Sequence, residues 1–442
     1  MKSKLQEKNF GIAVVGCGTV GNATASLLIS GKNDFLQKTG INLNLISMVD
    51  INFDRARKAG LEESLFTEDL SAVLENKDIQ LVVETVGGLT TARTIIEKAL
   101  KAGKHVVTAN KALLAHYGSE LFALARKNNV SIGFEASCAG GIPIVRSIAD
   151  GLLANTNEAL YGIVNGTSNF ILTEMVEKGR TYSEALKLAQ EQGLAEADPT
   201  LDVNGMDAAH KLTLLATLAF GEKIPLESIP VEGIDKLDLM DVKTGSELGY
   251  VLKLVAFARK TDSALELAVK PVFLPDDHPL AGVSGPFNAV SIYGHAVGHT
   301  MYYGRGAGGS PTASAVVSDI LSVAIGTWPI LFSTLTIWPD TTKPAVIADA
   351  GDSLNRYYLR FMVKDQSGIV AEITTALAEK NISLNAFIQK ENREGALVPV
   401  VITTHKAREK DINEAFNKII SNNAVENSAV KIRIIDEHEE SL

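Results

Sequence analysis

Residues 10–15 read Phe-Gly-Ile-Ala-Val-Val and run directly into Gly16-Cys17-Gly18-Thr19-Val20-Gly21. A short apolar run of this kind has the length of a buried strand, and residues 22–29 behind it have helical spacing. Glycines at G-x-G-x-x-G between strand and helix permit a tight turn and let the backbone approach a pyrophosphate, which sits on the helix N-terminus. Alone, the spacing also occurs in plain strand-to-helix turns. In this context it points to dinucleotide binding, with Gly16, Cys17, Gly18, Thr19, Val20 and Gly21 as the phosphate loop. A second apolar run, 43–49, ends at Asp50, where an acidic residue accepts hydrogen bonds from a ribose 2′-hydroxyl. Asp50 lies 50 − 21 = 29 residues beyond Gly21, against the usual ~20, and a loop around 31–40 absorbs the difference. Asp50 leans toward NAD. Arg55 and Arg57 lie near enough to keep a 2′-phosphate, and so NADP, open; they also suit a solvated helix face.

Further strand-like runs at 79–84, 105–108 and 130–134 alternate with helical stretches at 90–102 and 117–128. Such alternation implies right-handed βαβ units and a parallel sheet. After Pro143 the rhythm changes. A strand at 160–164 leads into Asn165-Gly166-Thr167-Ser168-Asn169, helices follow at 170–178, 183–192 and 206–220, and mixed elements fill 248–293. The Gly-rich stretch 304–309 precedes a helix at 312–325, and 329–353, with Pro329, Pro339 and Pro344, reads as an irregular linker. The last strands and helices, from 357 to 435, fall in the order βαββαβ, the ferredoxin-like arrangement.

The 442 residues suffice for about three domains at ~150 each. With 42 Lys plus Arg against 52 Asp plus Glu, the net charge is −10. That disfavours nucleic acid and anionic membranes as partners, since both need clustered cations. Two cysteines cannot build a disulfide framework or a four-Cys metal site. No apolar run reaches the ~18 residues of a membrane span, and the polar start lacks a secretory pattern. A soluble, multidomain, cytoplasmic protein is the expectation.

Candidate chemistry lies in three places. Lys111 follows the 105–108 strand at the sheet edge where open α/β sheets place their sites; a surface lysine is the plainer alternative. Glu196, Asp198 and Asp202 form an acidic loop that would ordinarily be solvated. The helix behind it carries Asp207 and Lys211, four apart and so on one face, while Leu212, Leu214, Leu215 and Leu218 make the rest apolar. A charged pair at the start of a buried helix lines a cleft, where a lysine can donate a proton to a carbonyl oxygen as hydride arrives. The 165–169 cluster could be an N-cap turn or, beside a cofactor, a set of donors. Cys138 has no nearby histidine to activate it and reads as a small loop residue. His295 and His299 are isolated.

The segments Gly-Cys-Gly-Thr-Val-Gly (16–21), Val-Val-Thr-Ala-Asn-Lys (106–111), Phe-Glu-Ala-Ser-Cys-Ala-Gly-Gly-Ile-Pro-Ile (134–144), Val-Asn-Gly-Thr-Ser-Asn-Phe-Ile-Leu (164–172), Gly-Leu-Ala-Glu-Ala-Asp-Pro (193–199), Gly-Met-Asp-Ala-Ala-His-Lys-Leu (205–212) and Tyr-Gly-Arg-Gly-Ala-Gly-Gly-Ser-Pro-Thr-Ala (303–313) occur in that order. Together they resemble monofunctional homoserine dehydrogenase with a C-terminal ACT domain. The resemblance spans about 11–325, and its 193–212 block is far more specific than the glycine fingerprint. It implies an α/β fold in parts: a Rossmann-type nucleotide-binding domain over 1–146, completed by a helix at about 305–326; an α+β catalytic and dimerisation domain over 147–304; a linker at 327–355; and a ferredoxin-like ACT domain over 356–436.

The implied reaction is the reversible NAD(P)H-dependent reduction of L-aspartate 4-semialdehyde to L-homoserine, on the route to threonine and methionine. By the resemblance, Lys211 is the proton donor and Asp207 the acid beside it. Glu196 binds the substrate amino group, with Asp202, Gly166 and Thr167 as further substrate contacts. Lys111 touches cofactor and substrate, and Gly308 lies near the nicotinamide. Glu135, with the carbonyls of Cys138, Gly140 and Ile142, matches a monovalent-cation site suited to Na⁺. The ACT domain implies an amino-acid effector, most naturally L-threonine, with a ligand-free dimerisation module as the alternative. A homodimer or homotetramer is implied. The region 326–352, with Trp328, Phe332 and Trp338, departs from the family's usual link.

Overall fold

The computed structural model describes residues 8–389, 397–426 and 428–440. Six parallel strands form the first sheet: β1 (Lys8–Val15), β2 (Ile41–Val49), β3 (Phe66–Thr67), β4 (Leu81–Glu84), β5 (His105–Thr108) and β6 (Ile132–Gly133), in the order β3-β2-β1-β4-β5-β6. Both faces are covered by helices, so β4 and the C-terminal part of β1 are continuously buried, as parallel strands require. The order reverses between β1 and β4, and a ligand crevice opens at such a switch point. The 16–21 loop leaves β1 there.

The helix expected at 117–128 begins earlier and runs Lys111–Lys127. Asn110 is its N-cap, with the side-chain oxygen accepting from Leu113 N at 3.1 Å. This makes Lys111 the first helical residue, beside the sheet edge. The helix Gly309–Ile325 returns to the first sheet and packs on Thr19–Ser30.

The 329–353 stretch is more ordered than its prolines suggest. It includes part of a helix, Thr327–Thr334. Trp328, Phe332 and Trp338 are fully buried against Phe122 and Phe134. Trp328 Nε1 donates to the Ile132 carbonyl at 2.8 Å, and Arg126 Nε donates to Asp340 at 2.9 Å. Burying each such ring stabilises the fold by roughly 2–3 kcal/mol, enough to fasten the stretch to the first sheet. Among the described residues no single helix is long and apolar enough to cross a membrane.

The second sheet has ten strands: β7 (Asn157–Ile163), β9 (Tyr250–Lys260), β10 (Leu265–Pro275), β11 (Phe287–Gly294), β12 (Gly298–Arg305), β14 (Leu354–Lys364), β15 (Leu384–Gln389), β16 (Leu397–Thr404), β17 (Ala407–Arg408) and β18 (Val430–Ile434). The short strands β8 (Glu222–Lys223) and β13 (Lys343–Pro344) pair separately. Strands β7 and β9–β12 belong to the middle of the chain and β14–β18 to its end. The two groups join where Val272 and Phe273 of β10 pair with Arg433 and Ile434 of β18. The C-terminal βαββαβ unit therefore continues the sheet of the middle region. Its helix Ile369–Ala378 starts after Gly368 at φ +97° without a side-chain cap, so the turn at 365–368 relies on glycine rather than on Asp365 or Ser367 for its end.

Candidate active site

The glycine loop needs its glycines for different reasons. Gly16 has φ +105°, and its N–H donates to the Val49 carbonyl at 2.8 Å. A Cβ on Gly21 would stand 1.8 Å from the Gly16 carbonyl oxygen, whereas one on Gly18 would meet nothing within 4 Å. The loop is thus closed toward the sheet and open outward at Gly18, the side a pyrophosphate would occupy. Asp50 Oδ2 accepts from Cys17 N at 2.5 Å and Oδ1 accepts from Ile51 N at 2.6 Å, so its carboxylate also holds the loop in place. Arg57 is paired with Glu63 at 2.9 Å, while Arg55 Nη1 reaches Thr19 Oγ1 at 3.5 Å. Of the two arginines, Arg55 is the one beside the phosphate loop.

Glu84 ends β4 fully buried. It accepts from the Val86 and Gly87 amides at 2.8 and 2.9 Å and from Thr108 Oγ1 at 2.6 Å. It braces the crevice between β4 and β5, where a cavity of about 270 Å³ borders Val20, Gly87, Gly88 and Lys111. Glu84 escapes a motif search because its role is to satisfy loop amides, which only the folded crevice brings to it.

A larger cavity of about 610 Å³ adjoins this crevice. Its walls include Thr19 and Val20 from the phosphate loop, Lys111, the 165–167 turn, Glu196, Asp202, Asp207, Lys211 and the 305–308 loop. The 205–212 block forms the start of the helix Met206–Phe220, which is buried over nearly its whole length. There Asp207 Oδ2 lies 2.7 Å from Lys211 Nζ, and Asp207 Oδ1 lies 3.0 Å from Lys111 Nζ. Lys211 Nζ also donates to the Val164 carbonyl at 2.5 Å. Asn165 Nδ2 donates to Asp202 Oδ1 at 2.7 Å and to Asp207 Oδ2 at 2.8 Å.

Asn165 was visible in the sequence only as part of a polar turn. It caps the helix Gly166–Lys178 with its oxygen, bonded to Ser168 N at 2.8 Å, and ties together two acidic residues with its amide.

Burial alone would push the Asp207 carboxyl up, but the Lys211 and Lys111 ammonium groups outweigh it and hold the group well below the usual carboxylate range. Asp207 correspondingly raises Lys111. Asp202 goes the other way: burial raises it despite the bond from Asn165. Two adjacent carboxylates are thus driven apart, Asp207 fixed as an anion and Asp202 closer to protonation. Burial pushes Cys138 up to about 12, in keeping with a small loop residue rather than a nucleophile. His210, one residue before Lys211, is pushed down to about 4 by burial and faces His116 edge-on at 5.6 Å.

The structure brings Lys111, Asp207, Lys211, Asp202, Glu196, Gly166, Thr167 and Gly308 to one cavity, with Thr19 and Val20 of the phosphate loop at its edge. Glu196 stands exposed on its rim. Asp50 does not line this cavity and meets the glycine loop through Cys17 N.

Glu135 is placed differently. Both its carboxylate oxygens accept backbone N–H groups, from Val145 at 2.8 Å and Arg146 at 3.0 Å. Burial beside Asp319 pushes it up to about 8. Among the described residues no three His, Cys, Asp or Glu side chains converge as a metal site.

Family models match in three consecutive blocks: "Homoserine dehydrogenase, NAD binding domain" over 16–135, "Homoserine dehydrogenase" over 143–321 and "ACT domain" over 357–421. The chain is 41% identical to the homoserine dehydrogenase of Neisseria gonorrhoeae over 98% of its length and 100% of that protein. It is 42% identical to that of Pseudomonas aeruginosa over 96% and 98% of the two chains. The crystal structure of a homoserine dehydrogenase from Thiobacillus denitrificans superposes with a TM-score of 0.91 at 40% identity, covering 97% of this chain and 99% of that one. A hyperthermophilic archaeal homoserine dehydrogenase solved in complex with NADPH matches 72% of this chain and 98% of its own, with a TM-score of 0.60 at 30% identity. Near-complete coverage at this identity, over a cleft that sets a lysine pair beside a dinucleotide loop, leaves one conclusion: the chain belongs to the homoserine dehydrogenase family and is an oxidoreductase with a nicotinamide-cofactor domain, a catalytic domain and a C-terminal ACT domain.

Proposed function

We propose that the chain reduces L-aspartate 4-semialdehyde reversibly to L-homoserine with NAD(P)H, and that Lys211 supplies the proton. The observation that carries this reading is the pairing of Lys211 and Lys111 on opposite oxygens of the Asp207 carboxylate at the wall of the large cavity. Bound nicotinamide would supply the hydride. As the aldehyde carbon gains it, negative charge grows on the aldehyde oxygen. Lys211 has three N–H donors, two of them engaged with Val164 and Asp207, which leaves one for that oxygen. A cation already in position stabilises the charge where it forms and then gives up the proton. Asp207 orients the lysine and stays ionised. Glu196 on the rim pairs with the substrate ammonium, with Asp202, Gly166 and Thr167 beside it, and Lys111 bridges the substrate and cofactor crevices. Gly16 to Gly21, Asp50 and Gly308 frame the cofactor.

The purified protein, given homoserine and NAD⁺ or NADP⁺ at alkaline pH, is expected to generate reduced nicotinamide, followed by absorbance. No turnover with either nucleotide would overturn the reading. Nucleotide preference follows from Arg55. Arg55→Ala is expected to raise the KM for NADPH by about tenfold, equivalent to ~1.4 kcal/mol, with little change for NADH. Equal effects on both would remove Arg55 from 2′-phosphate recognition.

The cation reading rests on main-chain oxygens. The carbonyls of Cys138 and Gly140 accept no backbone hydrogen bond from the described residues, and such hard oxygen donors suit Na⁺ better than a transition metal. With the Glu135 carboxylate turned to the 145–146 amides, its side chain shapes the loop, and the carbonyls would hold the ion.

L-Threonine is the proposed effector, supported by the ACT match and the βαββαβ order. Deleting the chain from Leu354 onward would strip β18 from Val272 and Phe273, so regulation is tested on the full chain. The same reading makes the protein a cytoplasmic homodimer or homotetramer.

A further inference from the structure

Strand β11 sends its side chains alternately into two cores. Val290 and Ile292 join the core that includes the helix Met206–Phe220, while Ala289 and Tyr293 join a separate one. The two-residue period puts residue 288 in the same row as Val290 and Ile292. It is an asparagine, 0% exposed. Neither the nitrogen nor the oxygen of its amide has a hydrogen-bond partner, and among the described residues no other side-chain amide lacks both. A buried amide without a partner destabilises the fold, and an apolar side chain of the same shape would not. The strand that carries it is pinned. Asn169 Nδ2 donates to the carbonyls of Gly285 and Phe287 at 2.9 and 3.1 Å, and residues 289–294 pair with β7.

The amide lies against two glycines of the catalytic cavity wall. A Cβ on Gly306 would stand 2.0 Å from Asn288 Nδ2 and 2.4 Å from its Oδ1, and one on Gly166 would stand 3.6 Å from Oδ1. Gly166 and Gly306 line the cavity together with Lys211 and Thr19, and Asn288 does not. It sits one layer behind the wall, where the missing side chain of Gly306 lets it touch the main chain. That main chain has spare donors of its own: among the described residues the Gly306 and Ala307 N–H groups donate to no backbone carbonyl. The loop is held on either side of them. The Arg305 carbonyl accepts from Gly141 N at 3.0 Å, and the Gly308 carbonyl accepts from Thr312 N at 3.1 Å. Gly308, at φ +121°, is the N-cap of the helix Gly309–Ile325. A Cβ on Gly309 would stand 3.3 Å from Thr19 Cγ2 of the phosphate loop. Residues 306–307 thus cross from the catalytic sheet to the cofactor domain with Asn288 directly behind them.

We propose that Asn288 is a positioning residue for hydride transfer. When nicotinamide and substrate fill the cavity, the 306–307 main chain shifts against Asn288, whose amide can both donate and accept. The new pair fixes the cavity wall beside the reacting carbon. The proposal rests on the reduction proposed above. Because the pair forms only in the loaded complex, it lowers the barrier without tightening nucleotide binding.

The test assays the full-length enzyme with homoserine and the nucleotide that the parent uses, alongside Asn288→Leu and Asn288→Ala. Leucine is close to asparagine in shape and has no polar atom to leave unpaired. Asn288→Leu is therefore expected to unfold in urea at the parent's midpoint or above it. Its kcat and its kcat/KM for homoserine are expected to fall together by about tenfold, the effect of losing one hydrogen bond made in the transition state. The nucleotide KM should stay near the parent's. Asn288→Ala should show the same kinetic loss, so the result does not hang on the fit of leucine. Unchanged kcat in the folded variants of an active parent would overturn the role of Asn288 and leave the reduction standing. A kcat that falls only in step with a lowered urea midpoint would overturn it too, by making the amide a structural tie. A parent without turnover would overturn the reduction and the role of Asn288 together.

Discussion

Lys211→Met should lower kcat by on the order of 10²-fold or more, with the cofactor KM close to its starting value. Methionine keeps much of the volume and the helix propensity, so the buried helix is not otherwise disturbed. What disappears is the donor that lies 2.5 Å from Val164 O and 2.7 Å from Asp207. Lys211→Arg separates the two parts of the lysine's role. Arginine keeps a positive charge but does not deprotonate in proteins, so a lost kcat in both variants assigns the proton to Lys211. Recovery in the arginine variant alone would mean that charge, not proton donation, is what the site requires. Unchanged turnover in the methionine variant would remove Lys211 from the mechanism.

Asp207→Ala should cost about 3–5 kcal/mol of folding stability, the range for breaking a buried charge network from one side. It strands Lys211, Lys111 and the Asn165 amide together. Urea unfolding measures the loss, and activity should fall with it because both lysines lose their orienting anion. The effect has a pH signature. Burial opposes ionisation of Asp207, but the two lysines more than compensate, so its folded pKa lies below the unfolded one. A depressed carboxyl contributes stability that is fully present above the unfolded value of about 3.9 and is lost as pH falls through the folded one. The stability gap between the parent and Asp207→Asn should therefore be widest near neutrality and narrow in strong acid. A gap that stays constant with pH would show that the carboxylate's charge is not what holds the cluster.

Much of this molecule is legible in its sequence. The alternation of apolar runs and helices up to residue 134 announces a parallel sheet, and its six strands include all five expected positions. The one strand missed, Phe66–Thr67, is two residues long and half-buried, too short to show a period. The Lys111 helix was placed late because its cap, Asn110, follows a strand with no intervening loop signal. The 327–340 segment misled for another reason. Its prolines suggest irregular chain, but Trp328, Phe332 and Trp338 find a matching aromatic surface on Phe122 and Phe134, and burying that surface outweighs local propensity.

The sequence by itself determined the chemistry on offer: a G-x-G-x-x-G loop between strand and helix, a lysine and an aspartate four apart on one face of an apolar helix, and a βαββαβ module at the end. These are local properties, set by sterics and by the 3.6-residue period. Only the tertiary structure decided which groups meet. Asp207 is shared between Lys211 on its own helix and Lys111, nearly a hundred residues earlier, and no spacing rule predicts a contact made by packing one domain on another. The same holds for β10 and β18, whose pairing makes one sheet of the catalytic and ACT units. Backbone hydrogen bonding carries no residue identity, so the sequence does not specify such a seam.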